Sequence, residues 1–261
     1  MDIYNIINYF LEICINLYLL KFPFIFLFGN EKIKEIDFND KLIKSIENFI
    51  MCNKFKNNGI IVSLSGGVDS MVILSILIRL SKKLELKVYA VHINYNLRNE
   101  SKLEANFLKN YCIKNNVKLK IVNIENTYSN KNKRGLLLGT TLSKRSQLEE
   151  ELKDVRFDSY KDLMKSYDCS GVMVGHHMND IIENIFTNSI RGSDLLNLEV
   201  MKKSNIIKEV NILRPLLDFK KSDIYDFAHK YDIPYFRDST PIWSRRGLMR
   251  NKIFPLLNKV F

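Results

Sequence analysis

The sequence predicts an α/β protein: a doubly wound, mainly parallel five-stranded sheet with helices on both faces. Three observations carry that expectation. Short continuous apolar runs alternate with longer helical patterns along most of the chain, and strands alternating with helices imply a parallel sheet covered on both sides. One apolar run, Gly59-Ile60-Ile61-Val62-Ser63-Leu64, passes through a glycine turn directly into the buried helical pattern Met71–Leu80. No internal repeat or low-complexity linker divides the 261 residues, so one large domain, or one with a small appendage, accommodates them.

The elements follow in order. Lys87–Ile93 reads as a second buried strand, and Asn99-Glu100-Ser101 opens a helix running to about Lys114. Lys118–Ile124 is a third strand, half polar by alternation. Asn126–Lys144 is polar and basic and reads as a loop, and Arg145–Tyr167 as a charged helix. Gly171–Gly175 is a short fourth strand, with a helix from about Asn179, and a fifth strand falls near Glu209–Leu213. Leu217–Tyr231 reads as a helix capped by Asp218 or Ser222. This divides the chain into an N-terminal helical and extended segment (1–57) packed on the core, a catalytic domain (58–218), and a C-terminal helix and basic tail (219–261) that complete it.

Composition narrows the function classes. The net charge is +11, and Met201–Phe261 holds 13 Lys/Arg against 6 Asp/Glu. Such a surface fits a polyanionic partner, although Lys, Asn and Ile are abundant throughout. Cys14, Cys52, Cys112 and Cys169 are isolated, with no Cys-x-x-Cys pair. That argues against a cluster, a zinc ribbon or a dithiol centre and fits a reducing, cytoplasmic compartment. Ile13–Phe28 is very apolar, but Asn16, Lys21 and Pro23 interrupt it and no Lys or Arg precedes Lys21. A packed helix followed by a Phe-rich extended segment is expected there, rather than a membrane span.

The turn Ser65-Gly66-Gly67-Val68-Asp69-Ser70 carries the chemistry. Glycines let the backbone approach a ligand closely. The unpaired amides of the following helix point at the same spot, where the helix dipole is positive. Ser65 and Ser70 add hydroxyls, and Asp69 is a candidate magnesium ligand. The Walker spacing is absent. In parallel sheets ligands sit beyond the carboxyl ends of the strands, so Ser65, His92 with Ile93, and Gly175 are expected to line one crevice.

The turn resembles the pyrophosphatase loop of the N-type ATP pyrophosphatases. Further stretches are His92-Ile93-Asn94-Tyr95-Asn96-Leu97-Arg98, Gly175-His176-His177-Met178-Asn179-Asp180-Ile181-Ile182-Glu183, Arg191-Gly192-Ser193, Arg214-Pro215-Leu216-Leu217, Arg237-Asp238-Ser239-Thr240 and Arg250-Asn251. With these the chain resembles the tRNA(Ile)-lysidine synthetase family, over about Ile60–Pro255. The resemblance implies an adenine nucleotide α-hydrolase-like fold and a ligase that adenylates the wobble cytidine of a tRNA with ATP, aided by Mg²⁺. L-lysine then displaces AMP. It makes Arg98 and Arg191 candidate phosphate clamps and His176 a candidate α-phosphate donor. Asp180 and Glu183, three apart on one helix face, become candidates for magnesium or the lysine amine.

Blander readings stand beside these. The His-His pair can cap a helix, Asp180 and Glu183 can be a solvated face, and Arg98 a surface arginine. Trp243 with Arg245 and Arg246 fits either an RNA clamp or a Trp packed on a small core. Asn94, Asn179 and Asn184 also depart from the family pattern, which has Asp, Asp and Thr there. The first two remove negative charge near where a cationic lysine binds. A tRNA thiolation enzyme and a non-catalytic nucleotide-binding relative are the alternatives.

Overall fold

Ile60, Ile61 and Val62 are all fully buried, as a strand is only when both of its faces are covered. They form β1 (Gly59–Ser63) at the middle of a six-stranded sheet. The structure is a computed structural model and describes residues 35–53, 55, 59–96, 100–124, 142–190, 201–236 and 245–260. The other strands are β2 (Lys87–Asn94), β3 (Lys118–Asn123), β4 (Cys169–Met173), β5 (Ser204–Ile207) and β6 (Val210–Leu213), in the order β3-β2-β1-β4-β6-β5.

All neighbours pair in parallel except β5, which runs antiparallel to β6. The expected count of five strands is therefore corrected to six. The additional strand turns back through Lys208 and Glu209, at φ 47° and 64°. A two-residue turn with both φ positive matches the strand twist and normally uses Asn-Gly or Asp-Gly. Lys-Glu gives no such signal.

The helices are α1 (Lys41–Cys52), α2 (Val68–Ser81), α3 (Ser101–Lys114), α4 (Leu142–Tyr167), α5 (Met178–Ile190) and α6 (Lys221–Lys230). A last helical segment runs through α7 (Arg245–Leu248), a π-helical turn (Met249–Ile253) and α8 (Phe254–Val260). The expected helix from Leu217 begins only at Lys221, because Leu216, Leu217 and Phe219 turn inward and are buried. Neither Asp218 nor Ser222 caps it; Asp223 accepts the Lys220 N–H at 2.9 Å.

Alternation along the strands sorts the core into two layers. Ile60, Val62, Ala90 and Met173 face α1, α2, α3 and α6. Ile61, Val91, Val172 and Ile212 face Phe157, Tyr160 and Leu163 of α4. Helices thus cover both faces, as expected. Strands β1, β2 and β3 fan one way and β4, β6 and β5 the other, so the order reverses between β1 and β4. Such a reversal opens a crevice at the strands' carboxyl ends.

The apolar stretch before Glu35, most of the Asn126–Lys144 loop, Arg98, Arg191-Gly192-Ser193, Arg237–Thr240 and Trp243 lie outside the described residues. Among the described residues no helix is long and apolar enough to cross a membrane.

Candidate functional site

The turn between β1 and α2 is held open by its own hydrogen bonds. Ser70 Oγ donates to the Gly67 carbonyl at 2.9 Å and accepts the Gly66 N–H at 3.2 Å. Ser65 Oγ lies 3.2 Å from Ser70 Oγ and accepts the Gly67 N–H at 3.3 Å. Gly66 has φ +85°, in the region glycine adopts without a steric cost. A Cβ there would lie 2.4 Å from the Phe236 ring. Phe236 also donates its N–H to the Gly66 carbonyl at 2.8 Å. Gly67 caps α2 without a side-chain bond, which leaves the first-turn amides at the crevice.

Opposite the turn, two residues past the end of β4, lies Gly175, whose Cβ would lie 2.7 Å from Asp69 Cβ. The absent side chain lets the two strand ends close on each other. His176 follows. Arg214, at the end of β6, donates its Nε–H to His176 Nδ1 at 3.1 Å. Arginine is always a donor there, so Nδ1 is the acceptor and the neutral ring carries its proton on Nε2. Burial and three nearby arginines push the His176 pKa down to about 4, against the opposing pull of Asp180. His176 is therefore a neutral donor at the crevice. Arg214 is itself buried and anchored on the Lys202 carbonyl at 2.9 Å and on Asn205.

The acids have partners that the sequence did not disclose. Both oxygens of Asp69 lie 2.7 Å from Lys221 Nζ, at the start of α6. Asn179, one of the departures from the motif, accepts the Lys221 N–H at 3.0 Å and so positions that lysine. Asp180 accepts the His177 N–H at 3.1 Å through Oδ2 and meets Arg250 at 3.2 Å through Oδ1. Glu183 meets Arg250 and Arg246, at 2.5 and 3.3 Å. These acids are 5% and 3% exposed. A solvated helix face is excluded: both acids are buried and paired with arginines. Arg246, read from sequence as a possible RNA clamp, is one of those arginines. His177 is buried with Nε2 3.8 Å from Asp69 and 3.5 Å from Asp180, and its Nδ1 has no hydrogen-bond partner among the described residues.

His92 sits below the crevice. Its Nδ1 lies 2.8 Å from the Leu64 carbonyl, so the ring donates from Nδ1, and burial pushes its pKa down. It braces the exit of β1. Ile93 packs partly buried on the α4 layer. Asn94 is buried and bonded to Asn123 at 3.1 Å, with Oδ1 accepting the Asn96 N–H. Its change from Asp thus serves the β2–β3 edge.

Two cavities meet at the turn. One, of about 320 Å³, is lined by Ser65, Gly67, Asp69, His176, Lys221 and Arg250 among others. The other, of about 490 Å³, shares Ser65, Asp69, Gly175, His176 and Arg246 and extends along α4. Of the residues expected to bind a nucleotide, Ser65, Gly67, Val68, Asp69, Ser70, Gly175 and His176 line one or both. Lys221, Arg214 and Arg250 were missed as site residues, and Arg246 was assigned to RNA alone. Arg214 and Arg250 had a signal, each standing in a quoted motif; Lys221 had none.

The protein-family profile described as a PP-loop domain matches residues 37–257. The tRNA(Ile)-lysidine synthase of Thermotoga maritima is 29% identical over 205 residues, covering 77% of this chain and 45% of that protein. The enzyme of the same name from Streptococcus gordonii is 30% identical over 198 residues, covering 76% and 41%. The chain thus spans less than half the length of these curated relatives. Among solved structures, the U34-tRNA thiolase NcsA from Methanococcus maripaludis, with its [4Fe-4S] cluster, superposes with a TM-score of 0.63 at 19% identity. That match covers 84% of this chain and 73% of that one and supports the fold.

Proposed function

Because this chain belongs to the PP-loop domain family, we propose that it spends ATP to activate the wobble cytidine of an isoleucine tRNA and joins lysine to it. The oxygen at carbon 2 of the base attacks the α-phosphorus, the α–β bridging bond breaks, and pyrophosphate leaves. The lysine ε-amine then attacks carbon 2, the carbon–oxygen bond breaks, and AMP carries that oxygen away. The product is cytidine plus lysine less one water.

One observation carries the reading: a neutral His176, its tautomer set by Arg214, faces the glycine turn across the crevice. Negative charge builds on the phosphates as they part, and fixed donors favour that state. The turn amides, Ser65, Lys221 and the His176 Nε2–H supply such donors. By their motif positions, Arg98 and Arg191 are assigned the remaining phosphate contacts.

Asp69 fits a magnesium ion, being a hard oxygen ligand on the wall of both cavities. Lys221 there takes the place of a cation. Asp180 does not fit, because each of its oxygens already has a donor. A bound magnesium ion supplies charge neutralisation on the phosphates. The basic C-terminal quarter is assigned to the tRNA backbone.

Thiolation is the second reading. It needs a reactive sulfur, and burial pushes the Cys112 and Cys169 thiols up to about 12 and about 11. Burial thus disfavours the thiolate at both, while Cys52 is exposed, at the end of α1 and away from the residues that line the two cavities.

The test is mass spectrometry of the wobble cytidine after incubation with tRNA, ATP, Mg²⁺ and lysine. The expected product gains one lysine less one water. Pyrophosphate release without that adduct points to another nucleophile. Sulfur in the base makes the protein a thiolase.

A further inference from the structure

Strand β5 adds little to the core. Ile206 is 75% exposed, and Ile207 packs only partly buried against the α4 layer. What the strand does contribute is a socket for one side chain. Arg214 donates from Nη1 to the Lys202 carbonyl at 2.9 Å and to Asn205 Oδ1. Its main-chain N–H donates to the Lys203 carbonyl at 2.7 Å. The strand is in turn clasped to the sheet. Ser204 Oγ donates to Asn211 Oδ1 at 3.1 Å, and the Asn211 amide donates to the Ser170 carbonyl at 3.0 Å. A planar guanidinium tied at Nη1 to two acceptors has one orientation left, and in it Nε meets His176 Nδ1. The three side-chain partners of Arg214 are all neutral acceptors. A carboxylate, the usual partner of a buried arginine, would cancel its charge. An amide oxygen holds the guanidinium and leaves the charge in place, on the wall of the cavity that His176 also lines.

We propose that Asn205 is a positioning residue for the phosphate chemistry: through Arg214 it fixes the orientation of His176 and keeps the ring's proton on Nε2. The kinetic consequence rests on the function proposed above; the tautomer does not. Which ring nitrogen of a neutral histidine carries the proton is set by the bond the other one makes. With Arg214 released from Asn205, Nδ1 loses its fixed donor and takes the proton in a share of the molecules. Nε2 is then an acceptor facing the crevice, the wrong polarity for a phosphate that gains negative charge. Asn205 lines neither of the two cavities, so it acts only through Arg214. The edge strand is thus the part of the fold that aims the donor, from outside the site.

The experiment reads the ring nitrogens by NMR in the full chain labelled with nitrogen-15 at histidine, the His176 signals being identified by their loss in His176→Asn. Wild type is expected to show a bare Nδ1 and a protonated Nε2. Asn205→Ala is expected to show a mixture of tautomers. Its kcat for pyrophosphate release with tRNA should fall by about tenfold or more, the scale for a misplaced catalytic group, while the KM for ATP stays within twofold. Asn205→Thr suits an edge strand but falls short of Arg214, and it takes the place of the alanine variant, with the same expectation, if that fails to fold. Asn205→Asp still offers an oxygen to Arg214 and should keep the wild-type tautomer. Three results overturn the assignment: an alanine or threonine variant with the wild-type tautomer, an aspartate variant that loses it, or a kcat that ignores the change of tautomer while only the melting temperature falls. The function itself fails separately, through wild-type pyrophosphate release that never yields a lysine adduct on the tRNA.

Discussion

Lys221 and Asp69, 152 residues apart in sequence, form a two-point ion pair with the ammonium 2.7 Å from each carboxylate oxygen. The pair spans the crevice mouth between the glycine turn and α6. Both groups are partly shielded, at 25% and 20% side-chain exposure. It keeps a carboxylate on the wall of both cavities without leaving its charge uncompensated.

Lys221→Met should therefore weaken ATP use more than stability. Losing a phosphate contact made in the transition state typically costs about a hundredfold or more. Asp69→Asn should abolish the release of AMP and pyrophosphate with the fold intact. Pyrophosphate release and melting temperature, measured side by side, check both. A large fall in melting temperature with normal turnover would mark the pair as a structural clasp.

The acids of α5 lead to a different expectation. Arg250→Ala leaves Glu183 and Asp180 short of a partner in a buried setting. Breaking such a pair costs about 3 kcal/mol. Urea denaturation should show that loss. Arg250→Ala with Glu183→Gln should recover part of it, because the charge is removed with its partner. Independent, additive losses would show that the two side chains do not act together.

Stability should fall in mild acid. Burial is the largest cause of the low pKa of His176, about 4 against an ordinary 6.5, and it lowers His92 and His177 as well. The folded state thus takes up these protons less readily than the unfolded chain. The stabilisation from His176 is complete above about pH 6.5 and is lost as pH falls towards 4, by about 3 kcal/mol at most. Melting temperature against pH, in wild type and His176→Asn, measures it. The substitution should flatten the curve in that window. Turnover should show no limb from His176 between pH 5 and 8, since the ring stays neutral throughout.

Binding of tRNA should weaken steeply with salt, because lysines and arginines release counterions from the phosphate backbone. The slope of log affinity against log salt gives the number of contacts. Replacing the exposed Lys252 and Lys259 of the last helical segment with Ala should lower that slope and cost tRNA affinity more than ATP affinity. A salt-insensitive complex would contradict the assignment of the basic segment.

The glycine turn and its flanking elements were legible because their signals are local. Gly66-Gly67 between an apolar strand and an apolar helix specifies a backbone conformation within a dozen residues. The partners of the acids were not legible, because Lys221, Arg246 and Arg250 reach the site only after the chain has closed over the sheet. A carboxylate three residues from another predicts a shared helix face, and it does not say which cations fill that face. Strand β5 escaped for a local reason, since Lys208-Glu209 adopts a turn without the residues that usually mark it. The break at Leu217–Lys220 escaped because its apolar residues, read along a line, continue a helical pattern that burial interrupts.

The contact between Gly66 and Phe236 joins two distant positions into one unit of variation. The ring fills the space that a side chain at 66 would need, and the main chain at 236 is bonded to the carbonyl of the same glycine. A larger residue at 66 requires a smaller one at 236 and still meets the positive φ. A smaller one at 236 leaves a void under the turn. Libraries built to retune the loop therefore have to sample both positions jointly, since single-site scans would score each as immutable.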